Sequence, residues 1–319
     1  MSKKTNIDAF YDRADEYMRE GRYEEAIELY LKLAEAHPED DSIVMSLSWA
    51  YRDSGRVSDA VRCLEGLLKK EMGRRIFTGF AFDELVRIYR EESNYERLIA
   101  ICEAAVAAQP DDVALLTTLG DAYLGAGRPD RAVEVFTTLT GMEPDAPALL
   151  CRLGDAHIGA GEYDDAAGAY DRAADIEPSD AHRFYSALGS TLSRAGEYDR
   201  AEKALRRSLE SRPDQAFVHC SLGDVCIRQR KPDKARAAYE EAVRLDPASA
   251  GDYYNRLGNS LARENHHALA VEAFEKAVAA DPRNPFYYLN LVKSCEAQGR
   301  HDDARAAYEK ARSLGLFPE

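Results

Sequence analysis

Residues 113–146 read VALLTTLGDAYLGAGRPDRAVEVFTTLTGMEPDA, and this stretch of 34 residues decides the fold. Apolar side chains recur at helical spacing on both sides of Gly127, first over 116–123 and then over 132–139. Glycine suits the end of a helix, and Pro144 lacks the N–H that would continue the second helix. The stretch therefore predicts two helices joined by a short turn.

The same pattern repeats along the chain of 319 residues. Nine blocks of 34 residues align with one another, with inserted residues at 75–78, 181 and 250. The blocks are 7–40, 41–74, 79–112, 113–146, 147–180, 182–215, 216–249, 251–284 and 285–318. Repeats of this kind bury their apolar faces on their neighbours. We therefore expect one array over residues 1–319, with an irregular junction at 69–82 that bends the array or lengthens a helix.

Small residues recur at two block positions. Position 20 is alanine in eight of the nine blocks, and position 8 is mostly glycine, as at Gly120 and Gly223. Two helices approach closely only where a side chain is very small. Position 24 is apolar and often aromatic, as at Phe136 and Tyr239, and fills the remaining space. Because no alternating β-branched runs occur, we predict an all-α chain without a β-sheet.

These columns resemble the tetratricopeptide repeat family. The matching residues in block 113–146 are Leu116, Leu119, Gly120, Tyr123, Gly127, Ala132, Phe136, Leu139 and Pro144. The resemblance covers nearly the whole chain. It implies a right-handed superhelical α-solenoid of helix-turn-helix hairpins, with a concave groove that is lined largely by the first helices and receives a protein or peptide.

The family geometry places block positions 2, 5, 9, 12 and 13 in that groove. At its first end these positions are aromatic or sulfur-containing: Tyr11, Met45, Trp49 and Phe80. Exposed side chains of these types cluster at interaction surfaces, so they are candidates for partner binding. The alternative for Trp49 is packing between adjacent first helices.

Acidic residues occupy position 9 in the middle of the groove, at Asp121 and Asp155, and further along at Asp224. A carboxylate in this place either receives a basic or amide-rich segment or stays a solvated groove residue. The second interpretation is favoured, because Leu-Gly-Asp is common at this column in the family.

The far end of the groove carries arginine. Position 13 is Arg194, Arg228 and Arg263 in three successive blocks, and Arg183 lies close by. Guanidinium groups suit carboxylates and phosphates. The sequence therefore makes these arginines candidates for binding an acidic partner. The alternative is that each of them pairs with a nearby Asp or Glu.

Asn255 and Asn259 complete the candidate groove residues. Some members of the family hold a peptide C-terminus with a carboxylate clamp, and Asn259 and Asn290 match its two asparagine columns. Asn255 stands where that clamp has lysine, and no third repeat follows. Because the clamp is incomplete, we do not predict binding of a chaperone tail.

Charge and composition exclude other classes of function. The net charge is −15, which repels nucleic acid and anionic membranes. Neither a signal peptide nor an apolar run of membrane-spanning length is visible, so we expect a cytoplasmic protein. The six cysteines are scattered singly and are expected to be buried apolar residues.

No motif for catalysis or for a cofactor is found, and we expect neither an enzyme nor a metal protein. The best metal candidate is the group of His266, His267, His301 and Asp302, but His267 and His301 fall where other blocks have tyrosine, which favours turn packing. The expected function is a non-catalytic interaction scaffold. The alternative is a structural protein that associates with itself into a homo-oligomer.

Overall fold

The computed structural model describes residues 4–74 and 79–317. Within these residues the chain forms 18 α-helices and no strand, so the all-α prediction is confirmed. The chain divides into two compact units, Met1–Leu139 and Thr140–Glu319, which are described separately. That the repeats form one array stays a prediction.

The first unit contains seven helices and most of an eighth. They are α1 (Lys4–Arg19), α2 (Tyr23–Ala36), α3 (Asp41–Asp53), α4 (Val57–Arg74), α5 (Phe80–Glu91), α6 (Tyr95–Ala108), α7 (Val113–Gly125) and α8 (Pro129–Met142). Helix α4 has 18 residues, against 14 in α2 and α6. The predicted junction at 69–82 thus begins inside a long helix, and its residues 75–78 lie outside the described residues.

The second unit contains ten helices. They are α9 (Pro147–Ala160), α10 (Tyr163–Ile176), α11 (Ala181–Arg194), α12 (Tyr198–Ser211), α13 (Ala216–Arg228), α14 (Pro232–Leu245), α15 (Ala250–Arg263), α16 (His267–Ala280), α17 (Pro285–Ala297) and α18 (His301–Ser313). Two single 3₁₀ turns, Pro178–Asp180 and Pro247–Ser249, precede α11 and α15. Helices pair in chain order into hairpins, such as α11 with α12 and α13 with α14.

Within a hairpin, glycine on the first helix faces a ring on the second. A Cβ added at Gly120 would lie 2.6 Å from the ring of Phe136, and one at Gly223 would lie 2.6 Å from the ring of Tyr239. Both rings are fully buried. The predicted packing of small residues against bulky ones is therefore confirmed in both units.

The turn between the two helices of a hairpin needs a left-handed residue. Glycine supplies it in most blocks, for example Gly161 with φ of 80°. Three blocks lack glycine there, and Ser93, Arg230 and Asn265 adopt φ of 55°, 60° and 62° instead. The turn geometry is thus kept even where the residue that adopts it most easily is absent.

Candidate protein-binding groove

Three first helices of the second unit lie side by side, because α13 contacts both α11 and α15. Arg194, Arg228 and Arg263 each stand in the last turn of one of these helices. All three side chains line one open cleft of about 300 Å³. The structure therefore brings together the arginines that the sequence places at one block position.

The three arginines differ in their partners. Arg228 donates to Glu264 over 2.6 Å, so the alternative of a local ion pair holds for it. Arg194 donates to the hydroxyl of Thr191 over 3.1 Å. Neither Arg194 nor Arg263 has an ion pair among the residues that the structure describes, and Arg263 has no hydrogen bond there either. Two of the three guanidinium groups thus keep donors for a ligand.

Asp224 also lines this cleft, but its carboxylate is already occupied. It accepts hydrogen bonds from Tyr239 over 2.6 Å, from Ser260 over 2.5 Å and from Arg256 over 2.7 and 2.9 Å. Burial, together with this carboxylate, raises the pKa of Tyr239 far above its usual range. Asp224 therefore links neighbouring helices, and its carboxylate is not available to bind a basic segment of a partner.

The same bond recurs in other hairpins at a spacing of 15 residues. Tyr170 donates to Asp155 over 2.8 Å, and Tyr30 donates to Asp15 over 2.5 Å. In block 113–146 the ring is Phe136, which has no hydroxyl, and Asp121 lies 3.9 Å from Arg90. The recurring acid of position 9 is thus explained mainly by packing inside the repeat.

A second open cleft lies between α11 and α13, with a volume of about 520 Å³. Arg183 and Phe217 line it. The side chain of Arg183 is 72% exposed and lies 3.7 Å from Asp180, which is an ion pair at the surface. The ring of Phe217 is 62% exposed and lies 4.9 Å from the guanidinium of Arg256. This cleft offers an apolar surface beside a cation.

Phe217 and Phe286 were missed by the sequence analysis, although they are the most exposed aromatic residues in the described chain, at 62% and 69%. Both stand at block position 2, the position that also holds Phe80 and Arg183. Reading that one column for aromatic residues finds them.

The two predicted asparagines lie on α15, the helix that ends with Arg263. Asn290 of α17 donates to the side-chain oxygen of Asn255 over 2.8 Å. Asn259 is half-buried, one turn before Arg263. Asn255 therefore links two first helices, whereas Asn259 remains a candidate on the same helix as the arginine cleft.

In the first unit, the predicted groove residues contact one another. The hydroxyl of Tyr11 lies 2.7 Å from the hydroxyl of Ser46 and ties α1 to α3. Trp49 packs edge to face on Phe80, with ring centroids 5.4 Å apart, and stays 38% exposed. Met45 is half-buried. Packing between adjacent first helices is thus the observed state of Trp49, with part of its surface still open.

Potential metal ligands come together at one place within the described parts of the chain. The only group of three potential metal-ligand side chains found there is His157, Glu162 and Asp165, at the turn between α9 and α10. The candidate that the sequence offered, His266, His267, His301 and Asp302, does not form such a group among the described residues. Burial raises the pKa of Cys220 to about 12, which keeps this thiol protonated.

No helix of the described residues is both long enough and apolar enough to cross a bilayer.

Comparison with known proteins agrees with this architecture. A family model described as the cilia and flagella-associated protein 70 C-terminal domain matches residues 91–316, and a tetratricopeptide repeat model matches residues 11–75. Because the first match covers more than half of the chain, the chain belongs to this family of tetratricopeptide repeat proteins. No curated protein matches the chain in sequence.

Solved structures show the same kind of fold. A tetratricopeptide repeat protein from Parabacteroides merdae is 17% identical, with a TM-score of 0.51 over 80% of this chain and 98% of that chain. The C-terminal part of a repeat protein from Cytophaga hutchinsonii is 17% identical, with a TM-score of 0.48 over 74% and 96%. The MamA protein is 21% identical, with a TM-score of 0.42 over 55% and 94%. The first likeness supports the fold alone, an α-solenoid of tetratricopeptide hairpins. The tetratricopeptide repeat, which the family models match, is a fold of protein-interaction scaffolds and is generally non-catalytic.

Proposed function

We propose that this protein is a non-catalytic scaffold that binds an extended segment of another protein along the first helices of its second unit. One observation supports this proposal most strongly. The first helices α11, α13 and α15 carry two open clefts: a largely exposed aromatic ring, Phe217, lines one together with Arg183, and three arginines line the other. Exposed aromatic and arginine side chains are the types that dominate the energy of protein–protein binding.

The two clefts suit different side chains of the bound segment. The cleft beside Phe217 suits an apolar side chain of the segment, because it adds buried apolar area on binding. The cleft of Arg194, Arg228 and Arg263 suits an acidic side chain, because open guanidinium groups form strong charge-assisted hydrogen bonds with it. Arg183 and Asn259 add polar contacts along the same helices.

In the first unit, Trp49, Phe80, Met45 and Tyr11 form a second, weaker candidate surface. Their mutual packing reduces the apolar surface that they expose, but the exposed part of Trp49 can still contact a partner.

A photo-cross-linking experiment tests the proposed surface. Benzoylphenylalanine replaces Phe217 in one protein and Ile176 in a matched control, since Ile176 is also exposed, at 40%, but stands on the second helix α10. Both proteins are irradiated in lysate of the cells that produce them, and cross-linked partners are identified by mass spectrometry. We expect defined partners at 217 that are absent at 176. Equal yields at both positions, or none at 217, would reject the groove.

Self-association is a second candidate, favoured by the last hairpin. The position-24 ring of this hairpin, Tyr308, is 44% exposed, whereas Tyr239 and Phe274 at the same position are buried. Phe317 covers it in part, with ring centroids 5.2 Å apart. A second copy of the chain could bury the rest. Light scattering during size exclusion tests this: a mass above 35.5 kDa that Tyr308→Ser lowers supports it, and a monomer at all concentrations rejects it.

A further inference from the structure

The arginine cleft carries more positive charge than its own carboxylates neutralise. Four arginines line it or bond to its walls, namely Arg194, Arg228, Arg256 and Arg263. Two carboxylates oppose them, because Glu264 pairs with Arg228 and Asp224 pairs with Arg256. Two net positive charges therefore remain in the cleft of a protein whose total charge is −15.

The charge excess sets the charge of the best ligand. One carboxylate would neutralise only half of it. A phosphate monoester carries about −1.5 to −2 charges at pH 7 on one compact group, which matches the excess. Arginine is also well suited to phosphate, since its planar guanidinium offers two parallel N–H donors.

The hydrogen-bond donors of the cleft also exceed what its own residues use. Ser193 and Tyr198 line it, and neither hydroxyl has a hydrogen-bond partner among the residues that the structure describes. Together with the open groups of Arg194 and Arg263, they offer donors from α11, α12 and α15. A phosphoryl group has three terminal oxygens, each of which accepts more than one hydrogen bond, so it can use donors that converge from several helices.

We propose that the cleft of Arg194, Arg228 and Arg263 binds a phosphorylated serine or threonine in the segment that occupies the groove. This inference rests on the proposed scaffold function and specifies its partner. The phosphoryl group lies among the three arginines, and neighbouring apolar residues of the segment reach Phe217 along α13. Phosphorylation of the partner then switches binding on.

Matched peptide libraries test this inference on the full chain. Three sets share the same flanking sequences and differ at the centre, which is phosphoserine, serine or a pair of adjacent glutamates. Binding is measured by fluorescence anisotropy. We expect the phosphoserine set to bind about tenfold or more tightly than the serine set, because charge-assisted hydrogen bonds are about twice as strong as neutral ones. The advantage should shrink as salt rises.

Variants locate the effect. Arg194→Gln with Arg263→Gln should remove most of the preference for phosphoserine while leaving the helical content and the thermal midpoint unchanged. Arg244→Gln is the matched control, since Arg244 is also exposed but pairs with Glu241 on the second helix α14. That variant should keep the preference.

Three outcomes overturn the inference: equal binding of all three sets, a preference for the glutamate pair, or a phosphoserine preference that survives loss of Arg194 and Arg263. None of them removes the scaffold function, which fails if cross-linking at 217 gives no partner or gives the same yield as at 176. The two proposals can therefore fail separately.

Discussion

Arginines at groove positions of the two units have different surroundings. In the first unit, Arg52 donates to Glu84 over 3.2 Å, and Arg87 donates to Glu84 over 2.6 Å and to Glu91 over 2.9 Å. In the second unit, Arg194 and Arg263 have no carboxylate partner among the described residues. Arg52 and Arg87 of the first unit are thus neutralised, whereas two of the three arginines in the row of the second unit stay available.

Part of the difference comes from the residues one turn away on the same helix. Glu84 and Glu91 stand three and four positions from Arg87, the spacing at which helical side chains meet. The residues three and four positions before Arg194 are Thr191 and Ser190, and those before Arg263 are Ser260 and Asn259. An arginine on a repeat surface is therefore available for binding where neither its own helix nor the next repeat supplies an acid within reach; Glu264 of the next repeat is what neutralises Arg228.

The largest predicted effect concerns the one acid that does line the open cleft. Asp224→Ala should lower the free energy of unfolding by about 3 kcal/mol, because it leaves the partly buried Arg256 unpaired and removes the acceptor of Tyr239 and Ser260. Urea unfolding followed by circular dichroism measures it. Asp233→Ala is the control, since its side chain is 88% exposed, and should leave the midpoint unchanged. A small loss at Asp224 would mean that this acid is free for a ligand.

A paired cluster inside the second unit gives the next effect, on pH dependence. Hydrogen bonds from Arg206, and further ones from Gln229 and Lys231, lower the pKa of Glu202 from about 4.5 to about 2. Because the folded pKa lies below the unfolded one, the stabilisation is complete above pH 4.5 and is lost as pH falls towards 2. Glu202→Gln should therefore cost about 2–3 kcal/mol at pH 7 and progressively less below pH 4.5.

Unfolding free energies of wild type and Glu202→Gln between pH 7 and pH 3 check this difference. A cost that stays constant over that range would show that the ion pairs of Glu202 contribute nothing specific. Arg206 could then no longer serve as an example, within the second unit, of an arginine neutralised by a stabilising ion pair.

The fold could be predicted from sequence because its determinants are local and repeat. Gly120 and Gly223 recur at a fixed position opposite Phe136 and Tyr239, and the spacing alone shows that these residues meet. Even the acid of position 9 has a local cause, because the tyrosine 15 residues later donates a hydrogen bond to it. The sequence analysis had described this acid as a solvated residue.

The candidate site could be predicted only in part. Block position put Arg194, Arg228 and Arg263 in one row, and the structure places all three on one cleft. Which of them is neutralised depends on side-chain rotamers and on Glu264 of the next repeat. The exposure of Phe217 was not foreseen, although Phe217 stands at the same block position as Phe80, which the sequence had marked as a groove candidate. Whether such a ring is covered depends on the helix beside it, which a single block does not contain.

Identical glycine substitutions in the two units test whether their scaffolds are equivalent. Gly120→Ala and Gly223→Ala should each destabilise the protein by about 1–3 kcal/mol, since the new Cβ would lie 2.6 Å from a buried ring. Gly168→Ala is the control, because nothing lies within 4 Å of its Cβ, and it should stabilise α10 by about 0.5–1 kcal/mol. Thermal denaturation measures all three. Equal losses would place the difference between the units in their surfaces, whereas unequal losses would place it in their packing.

The smallest predicted effect concerns the aromatic pair of the first unit. Trp49 is the only tryptophan, so its emission reports on this place alone. Phe80→Leu should shift that emission to longer wavelength, because the indole loses the ring that packs on it at 5.4 Å. A double-mutant cycle of Trp49→Leu and Phe80→Leu should give a coupling of about 1 kcal/mol. Phe217→Leu, in the other unit, should leave the emission unchanged. An uncoupled pair would mean that Trp49 is as available to a partner as Phe217, and the first unit would then have to be counted as a binding surface of equal rank.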